Sequence, residues 1–451
     1  MRLKPRQLLL DMKRTLAVAI PLIVAQLLQM ANGLVDALVA GRLGTVELAA
    51  GGIGAGIWFF ASILCIGLMA GLSPTLSRLI GQGRRKAIGG VYRQGLWMGL
   101  AVGLLALLLL LLLAATLHLW AIQAELVPFI RQYVYAACWS LPAFAVMMAS
   151  RNVCEATGLT RPVMVVQLLG LLINTLANLG FGLGWFGLPR LGLTGIGIAT
   201  SIVMVCMAVA LLVVLRQARF NRFHLFGQFE WPQWGVIRGL LVLSFPIYLA
   251  LLFESGLFVA TAIQMGMLGT LESAAHNIAI SFSGACYMLP LGLSFALTAR
   301  TGQVYGRESL AAIKLRIASG LILTFFMAVS TAVLLIVFRY KLPSLYTSGI
   351  EVRNIAAQLL VLAALFQISD GAQVAFLGFL RGLQDTRIPM LINALAYWGV
   401  AFPIGYVSAH HLGYGAKGLW VGLITGLTLS ALLLAWRLYT RVNRAHVWAA
   451  G

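Results

Sequence analysis

Charged side chains are scarce in this chain of 451 residues. They make up 10% of it, whereas 61% of the residues are hydrophobic and the mean hydropathy is +0.94. A soluble domain carries about 25% charged residues, so the composition excludes an ordinary soluble protein and indicates an integral membrane protein. A chain of this length can hold about a dozen spans of about 20 residues joined by short loops.

Cysteine is scarce as well, with five residues in the whole chain. All of them lie in or beside apolar runs, and none has the paired spacing of a disulfide framework or a zinc site. They are Cys65, Cys138, Cys154, Cys206 and Cys286. We therefore expect small-residue packing from them, and no cofactor.

Acidic residues are few, 12 against 32 Lys and Arg, which gives a net charge of +20. Such a charge often indicates nucleic acid as a partner, but here the basic residues are scattered in loops between apolar runs, so we expect none. The segment Met1–Arg14 is basic, and the apolar run after it is too long for a signal-peptide core. We expect that run to be retained as the first span.

The apolar runs predict an all-α integral membrane protein with twelve transmembrane helices. The predicted spans are 15–40, 49–76, 94–118, 128–150, 162–185, 193–215, 239–266, 275–299, 317–338, 354–380, 388–410 and 418–436. Of the 32 Lys and Arg residues, 25 fall on one side of these spans and 7 on the other. Because cytoplasmic loops carry the excess of Lys and Arg, both termini are predicted to be cytoplasmic.

The chain repeats itself at an offset of 225 residues. Residues 41–50 read GRLGTVELAA, and residues 266–275 read GMLGTLESAA. Each half then has six spans that enter the membrane in the same sense, which predicts two six-helix bundles related by a pseudo-two-fold axis along the membrane normal. The predicted domains are 1–215, a cytoplasmic linker 216–238, and 239–451. Both bundles lie on one chain, and we expect a monomer that works by alternating access.

Three acids fall within apolar runs, namely Asp36, Glu254 and Asp370, while the other nine lie in loops or at span ends. No Lys or Arg is predicted deep in a span. A carboxylate inside the membrane costs about 2.5–3.5 kcal/mol on insertion scales and usually faces a cavity or a partner. A buried site here should therefore favour a cation and be open to protonation, because desolvation favours the neutral carboxyl. The alternatives are a structural carboxylate at Asp36 and a bond from Glu254 to a backbone carbonyl.

A candidate ion site lies in the first half. Asn174 and Asn178 are four residues apart on one helix face, and Thr200 lies in the next span. With Asp36 they offer carboxylate, amide and hydroxyl oxygens, which suit a hard cation such as Na⁺. Buried Asn and Thr also serve as interhelical hydrogen bonds, so both interpretations stay open.

Aromatic side chains in the spans could present cation–π surface to an organic cation. The candidates are Trp58, Phe59, Trp139, Tyr287, Tyr397 and Trp398. Interface belts are the more usual place for Trp and Tyr, so this role remains a hypothesis for each of them.

Several motifs resemble the multidrug and toxic compound extrusion (MATE) transporters, specifically the NorM branch, over nearly the whole chain. They are Gln367-Ile-Ser-Asp370-Gly-Ala-Gln373, Leu380-Arg-Gly-Leu-Gln-Asp-Thr-Arg387, Tyr397-Trp398, and Gly33-Leu-Val-Asp36 followed by Gly41-Arg-Leu-Gly44. The resemblance implies a two-lobe, twelve-helix antiporter of a bacterial inner membrane. It would export cationic, amphipathic drugs and dyes in exchange for Na⁺ or H⁺.

The resemblance also implies site residues. The family's cation-coupling acids of the C-terminal lobe match Glu254 and Asp370, with an aromatic partner at Tyr287, and Na⁺ could bind at these acids. Its first-lobe site matches Asp36, Asn174, Asn178 and Thr200. The chain departs from the DinF-like branch at Asn178, where that branch has an acid, and Phe366 stands where some NorM relatives have a tyrosine.

Two other functions compete with this one. A lipid-linked saccharide flippase of a related two-lobe fold would need Arg or Lys in the cleft for its pyrophosphate cargo, and none is predicted deep in the spans. A membrane-embedded enzyme would need a catalytic set, but no metal-ligand pair, Gly-rich phosphate loop or Ser/His/Asp set is seen. His276 and His410-His411 fall at span ends or in an outer loop.

Overall fold

The computed structural model describes residues 5–120 and 122–443, and within these ranges every regular element is helical. The helices are α1 (Pro5–Leu43), α2 (Thr45–Met69), α3 (Leu72–Gly81), α4 (Arg85–Ala115), α5 (Val127–Ala137), α6 (Ser140–Thr157), α7 (Arg161–Ala177), α8 (Leu193–Leu215), α9 (Ala218–Asn221), α10 (Trp234–Leu268), α11 (Thr270–Gly306), α12 (Leu310–Val337), α13 (Lys341–Ser344), α14 (Ile350–Gly382), α15 (Arg387–Ala394), α16 (Phe402–Tyr406) and α17 (Gly415–Asn443). A 3₁₀ turn follows α4 at Thr116–Leu119, and π-helical turns follow α7, α15 and α16 at Asn178–Gly182, Leu395–Ala401 and Val407–His411.

Eleven helical runs in the described ranges are long and apolar enough to cross a membrane, and α5 with α6 forms a broken twelfth, bent by 45°. Each run overlaps one predicted span, so the prediction of twelve spans is confirmed. The break before α6 has a local cause at Pro142, in the first turn of α6. A proline inside a helix lacks its N–H and its ring clashes with the carbonyl four residues earlier, which favours a break between α5 and α6. Pro21, Pro246 and Pro290 lie inside continuous helices.

The helices pack into two compact units. One comprises residues 24–248, and the other comprises the described residues up to 23 together with those from 249 onward. The divisions fall inside α1 and α10, just after Pro21 and Pro246. Each unit therefore contains part of a helix that continues into the other.

Helix α14 is the centre of its unit and packs closely against α11. A Cβ atom on Gly378 would lie 2.7 Å from Ser294 Oγ, so only glycine allows this approach. Ser294 donates to the Val374 carbonyl at 2.9 Å, and Thr298 donates to the Gly378 carbonyl at 3.1 Å. Small residues and hydroxyl bonds are the usual means of holding helices together in lipid. Here they fix the orientation of the α14 face that carries Asp370.

A buried ion cluster joins the start of α1 to α11 and α12. Asp11 is 5% exposed, accepts bonds from Arg300 at 3.1 Å and from Arg316, and accepts the Ser319 hydroxyl at 2.5 Å. Arg300 also donates to the Asp11 carbonyl at 2.9 Å and to the Thr15 hydroxyl. The polar atoms of this acid are thus satisfied entirely by protein groups.

The helices extend beyond the predicted spans, and they include arginines that were placed just outside a span end. Arg151, Arg300 and Arg381 fall within α6, α11 and α14. Arg151 donates to Glu155 at 2.8 Å and to Gln26 at 2.8 Å, and it is 4% exposed. Hydropathy falls at each arginine, but hydrogen bonds from Arg151 to Gln26 and from Arg300 to Asp11 stabilise these side chains within α6 and α11.

We expect Asp11→Asn to lower the melting temperature of the purified protein, because it leaves Arg300 and Arg316 without their carboxylate. Removing one partner of a buried ion pair costs about 3–5 kcal/mol. The control is Glu351→Gln, an exposed acid in the first turn of α14, for which the change should stay within about 0.5 kcal/mol. Thermal melts in detergent compare the two; equal melting temperatures would contradict a stabilising role for the cluster.

Candidate functional site

Asp36 meets Asn174 and Asn178 in the unit of residues 24–248, as the sequence predicted. The Asp36 Oδ1 atom accepts the Asn174 Nδ2 group at 3.1 Å and the Asn178 Nδ2 group at 2.7 Å. Asn178 Nδ2 also lies 3.2 Å from Asn174 Oδ1. Both amides are buried, at 2% and 0% exposure, while Asp36 is half-buried. Two amide groups therefore hold one carboxylate oxygen.

The backbone around Asn178 explains how its side chain reaches Asp36. Asn178 begins the π-helical turn that follows α7, and such turns often occur at functional sites. A Cβ atom on Gly195 of α8 would lie 2.1 Å from the Phe181 carbonyl oxygen, so the absence of a side chain there lets the turn pack on α8.

Thr200 joins this group through a residue that the sequence did not predict. Its hydroxyl donates to the Ile196 carbonyl at 3.1 Å. The Tyr133 hydroxyl, on α5, interacts with Thr200 and with the charge of Asp36. Tyr133 is 4% exposed, so its hydroxyl is turned into the protein. We name Asp36, Tyr133, Asn174, Asn178 and Thr200 the amide cluster.

The amide cluster offers oxygen atoms of the kind that a hard cation prefers. Asn178 Oδ1 is buried and has no hydrogen-bond partner among the described residues. An unpaired buried oxygen needs an explanation, and a bound water or ion is a common one. Across residues 5–120 and 122–443, no three His, Cys, Asp or Glu side chains converge as metal ligands. The cluster thus contains one carboxylate and one amide oxygen that is unpaired within the described ranges.

Glu254, Asp370 and Tyr287 come together in the other unit, where the two carboxyl groups are electrostatically coupled to each other and to the Tyr287 hydroxyl. The charge of Glu254 acts on Asp370, and both acids act on the hydroxyls of Tyr287 and Tyr397. Asp370 is 3% exposed, and its Oδ1 atom has no hydrogen-bond partner in the described part of the chain. We name Glu254, Tyr287, Asp370 and Tyr397 the acid cluster.

Two glutamines one turn from Asp370 on α14 extend the acid cluster. Gln373 donates to the Tyr397 hydroxyl, and Gln367 donates to the Ser283 carbonyl at 2.7 Å. Both are fully buried. Their side chains lie three residues before and after Asp370, so they share its helix face and set the position of Tyr397 and of α11 against it.

Phe366 and Arg381 complete the surroundings of the acid cluster. Phe366 is 2% exposed and packs edge-on against Phe258 and Trp420, with ring centroids at 6.1 and 5.8 Å. It is an aromatic core residue here. The charge of Arg381 acts on Glu254 without forming a direct ion pair to it within the described residues. Arg381 lies in the last turn of α14, one residue before the helix ends at Gly382.

The six aromatic candidates divide by exposure. Tyr397 is fully buried, whereas Phe59, Trp139 and Trp398 are 55%, 68% and 41% exposed. Trp58 and Tyr287 are half-buried. Trp58 donates to Ser140 Oγ at 2.7 Å, and Trp398 donates to the Phe253 carbonyl at 3.2 Å, so both indoles are held in place.

Comparison with known proteins decides the family. A family model described as MatE matches residues 21–179 and 246–407. The chain belongs to the MatE family. The resemblance to MATE transporters stated from the motifs is thereby confirmed, and this MatE protein is a multi-pass membrane protein.

The relatives of this MatE protein are named as resistance proteins and transporters, not as enzymes. It is 35% identical over 428 residues to the "Probable multidrug resistance protein NorM" of Xylella fastidiosa, covering 95% of this chain and 91% of that one. It is 36% identical over 443 residues to "Multidrug resistance protein MdtK" of Yersinia pseudotuberculosis, covering 95% of each. The expectations of a NorM-type and non-enzymatic protein are confirmed.

Solved MATE structures share the fold. The Vibrio cholerae MATE transporter VcmN in its bent form has a TM-score of 0.87 at 20% identity, covering 98% of this chain and 99% of that one. The eukaryotic MATE transporter AtDTX14 has a TM-score of 0.88 at 18% identity, covering 97% and 99%. At such identities the likeness is one of fold.

Sequence reasoning missed Tyr133, Gln373 and Arg381 in this MatE protein. Gln373 had a usable signal, because polar residues recur at 367, 370 and 373 on one helix face. Tyr133 had none, since nothing in its neighbours along the chain separates it from the exposed Tyr135 on the same helix. Arg381 was read as the start of a loop.

We expect Gly195→Ala to lower the melting temperature, because the new Cβ atom would push the Asn178–Gly182 turn away from α8. Overpacking of this kind costs about 1–3 kcal/mol. Gly52→Ala is the control, since a Cβ atom there meets nothing within 4 Å. If both variants melt at the same temperature in detergent, the close packing of this turn does not stabilise the protein.

Proposed function

We propose that the protein is a multidrug efflux antiporter that exports cationic, amphipathic drugs and dyes in exchange for Na⁺ or H⁺ by alternating access. The names of its relatives support the class of cargo. The observation that carries the exchange step is the Asp370 carboxyl, which is buried in a membrane-length helix with one unpaired oxygen. A proton or a small cation at that oxygen would neutralise a charge that is costly to hold in hydrocarbon.

Asp370 and Glu254 have different roles in this proposal. Two neighbouring carboxylates repel each other, and sharing a cation or a proton relieves the repulsion. Arg381 offsets part of the charge of Glu254, whereas the charge that acts on Asp370 is that of Glu254. Asp370 is therefore the group that exchanges the coupling ion, and Glu254 sets its affinity. Tyr287 and Tyr397 line the same site and offer hydroxyl oxygens to the ion.

The amide cluster is proposed as a Na⁺ site. In the structure the Asn174 and Asn178 amides present N–H groups to Asp36. Rotation of each amide by half a turn would present its oxygen instead, beside the carboxylate and the hydroxyls of Thr200 and Tyr133. Oxygen ligands with one negative charge suit a hard monovalent cation. Asn178 does not titrate, so a proton could be taken up here only at Asp36.

A bacterial inner membrane location is proposed from the bacterial relatives, and the distribution of Lys and Arg supports both termini being cytoplasmic. No observation favours a lipid-linked saccharide flippase, because the ionisable groups near the middle of the spans are acids. Arg381 lies in the last turn of α14, which is the end of the span.

Asp370→Asn and Glu254→Gln should each strongly reduce export of an ethidium-like dye from proteoliposomes, since each removes a carboxylate from the acid cluster. Contacts to a charged group are worth about 1.5–3 kcal/mol, so the initial rate should fall roughly tenfold or more. Glu351→Gln, an acid on the same helix but exposed, should export normally. Unchanged export in both cluster variants would refute the proposed exchange site.

The variant Asn178→Ala should distinguish export driven by Na⁺ from export driven by H⁺. It removes a Na⁺ ligand and no titratable group, so we expect export driven by a sodium gradient alone to fall more than export driven by a proton gradient alone. The control is Thr175→Ala, in the last turn of α7, whose hydroxyl donates to the Leu171 carbonyl at 2.9 Å. Equal losses under both gradients would argue against Na⁺ binding in the amide cluster.

A further inference from the structure

The segment between α8 and α10, residues 216–233, has one buried and one exposed apolar face. Phe220, Phe223 and Leu225 are only 1–3% exposed. Phe229 and Trp231 are 73% and 75% exposed. The three buried side chains anchor the segment to the rest of the protein, and the Phe229 and Trp231 rings are exposed to the surroundings.

Bonds to α4 fix the second half of this segment. Arg93 donates to Glu230 at 2.5 Å, Trp97 donates to the Glu230 carbonyl at 2.9 Å, and Gln94 donates to the Trp231 carbonyl at 3.1 Å. The Trp97 and Trp231 rings stack with centroids 6.5 Å apart. The hydrogen bond from Arg93 lowers the pKa of the Glu230 carboxyl. At neutral pH Glu230 is therefore ionised, and its charge is offset by Arg93.

The exposed charge of the segment is positive. Arg216, Arg219 and Arg222 are exposed, and Glu230 is the only acid between residues 216 and 238. The Arg216 guanidinium lies 5.4 Å from the Phe226 ring centroid. Cation–π contacts of this kind hold an arginine in place while leaving its N–H groups free to bind an anion.

A second set of exposed basic residues lies next to this segment. Arg84, Arg85 and Lys86 are exposed at the start of α4. A Cβ atom on Gly89, one turn into α4, would lie 2.3 Å from the His224 carbonyl oxygen, so the helix start and the linker are in contact. We name the exposed residues 84–86, 216, 219, 222, 226, 229, 231 and 234 the linker surface.

We propose that the linker surface binds the phosphate headgroups of anionic phospholipids, with the exposed Phe and Trp rings set among the headgroups. Both ends of the segment join membrane-length helices, α8 and α10, which places it at the level of the membrane surface. Basic residues beside a membrane attract anionic lipid, at about 1 kcal/mol each, and aromatic rings favour the interface. The partner is the lipid in which the protein sits, and the site is separate from both ion clusters.

The test uses the full-length protein in detergent and short-chain phosphatidylglycerol as the probe. The variant Arg216→Gln/Arg219→Gln/Arg222→Gln should bind the probe at least about tenfold more weakly. The reason is that each basic residue removed contributes attraction to anionic lipid. The matched control is Arg339→Gln/Lys341→Gln/Arg353→Gln, which removes the same charge from the other compact unit. It should bind as the unaltered protein does.

Further arms identify the ligand. Phosphatidylcholine and soluble glycerol phosphate should bind weakly to every form of the protein. Phe229→Ser/Trp234→Ser keeps the arginines and should lose affinity for phosphatidylglycerol, since both rings are exposed. All forms should melt at the same temperature without added lipid, which excludes unfolding as the cause. Equal affinity of the two charge variants, or tight binding of glycerol phosphate, would overturn the proposal.

Discussion

The interior of a bilayer offers no hydrogen bonds, so every polar group within it must find a partner in the protein. The polar residues of this chain are arranged around that constraint. Asp11 is enclosed by two arginines, a serine and its own backbone contacts, and Glu155 is paired with Arg151. In these pairs each carboxylate faces an arginine. Because an arginine already neutralises each carboxylate, these pairs stabilise helix packing and do not attract a mobile cation.

Asp36 and Asp370 meet the same constraint differently. The Asp36 carboxylate is satisfied on one oxygen by two neutral amides, which can rotate to present either hydrogen or oxygen. One oxygen of Asp370 has no partner among the described residues. Within the described residues, neither acid forms an ion pair with a Lys or Arg side chain. That difference from the paired acids, and not the presence of a carboxylate alone, is the physical basis for proposing ion exchange at these two positions.

Much of the candidate site was predictable. The spacing of Asn174 and Asn178 put both amides on one helix face, and the structure brings both to Asp36. Proximity of Glu254, Asp370 and Tyr287 followed from the resemblance to MATE transporters. Arg381 closes α14, as the drop in hydropathy predicted, but its electrostatic interaction with Tyr287, Glu254 and Tyr397 depends on how the helices pack and could not be predicted.

The number of spans follows from hydropathy, because the cost of placing a residue in hydrocarbon is a local property of the chain. The pairing of polar side chains from different helices, in contrast, is not a local property of the chain. Tyr133 reaches Thr200 and Asp36 only because α5, α8 and α1 pack together, and Gln373 reaches Tyr397 across α14 and the turn after α15. The inward orientation of Tyr133 and the outward orientation of Tyr135 depend on neighbouring helices, so the folded packing was needed to tell them apart.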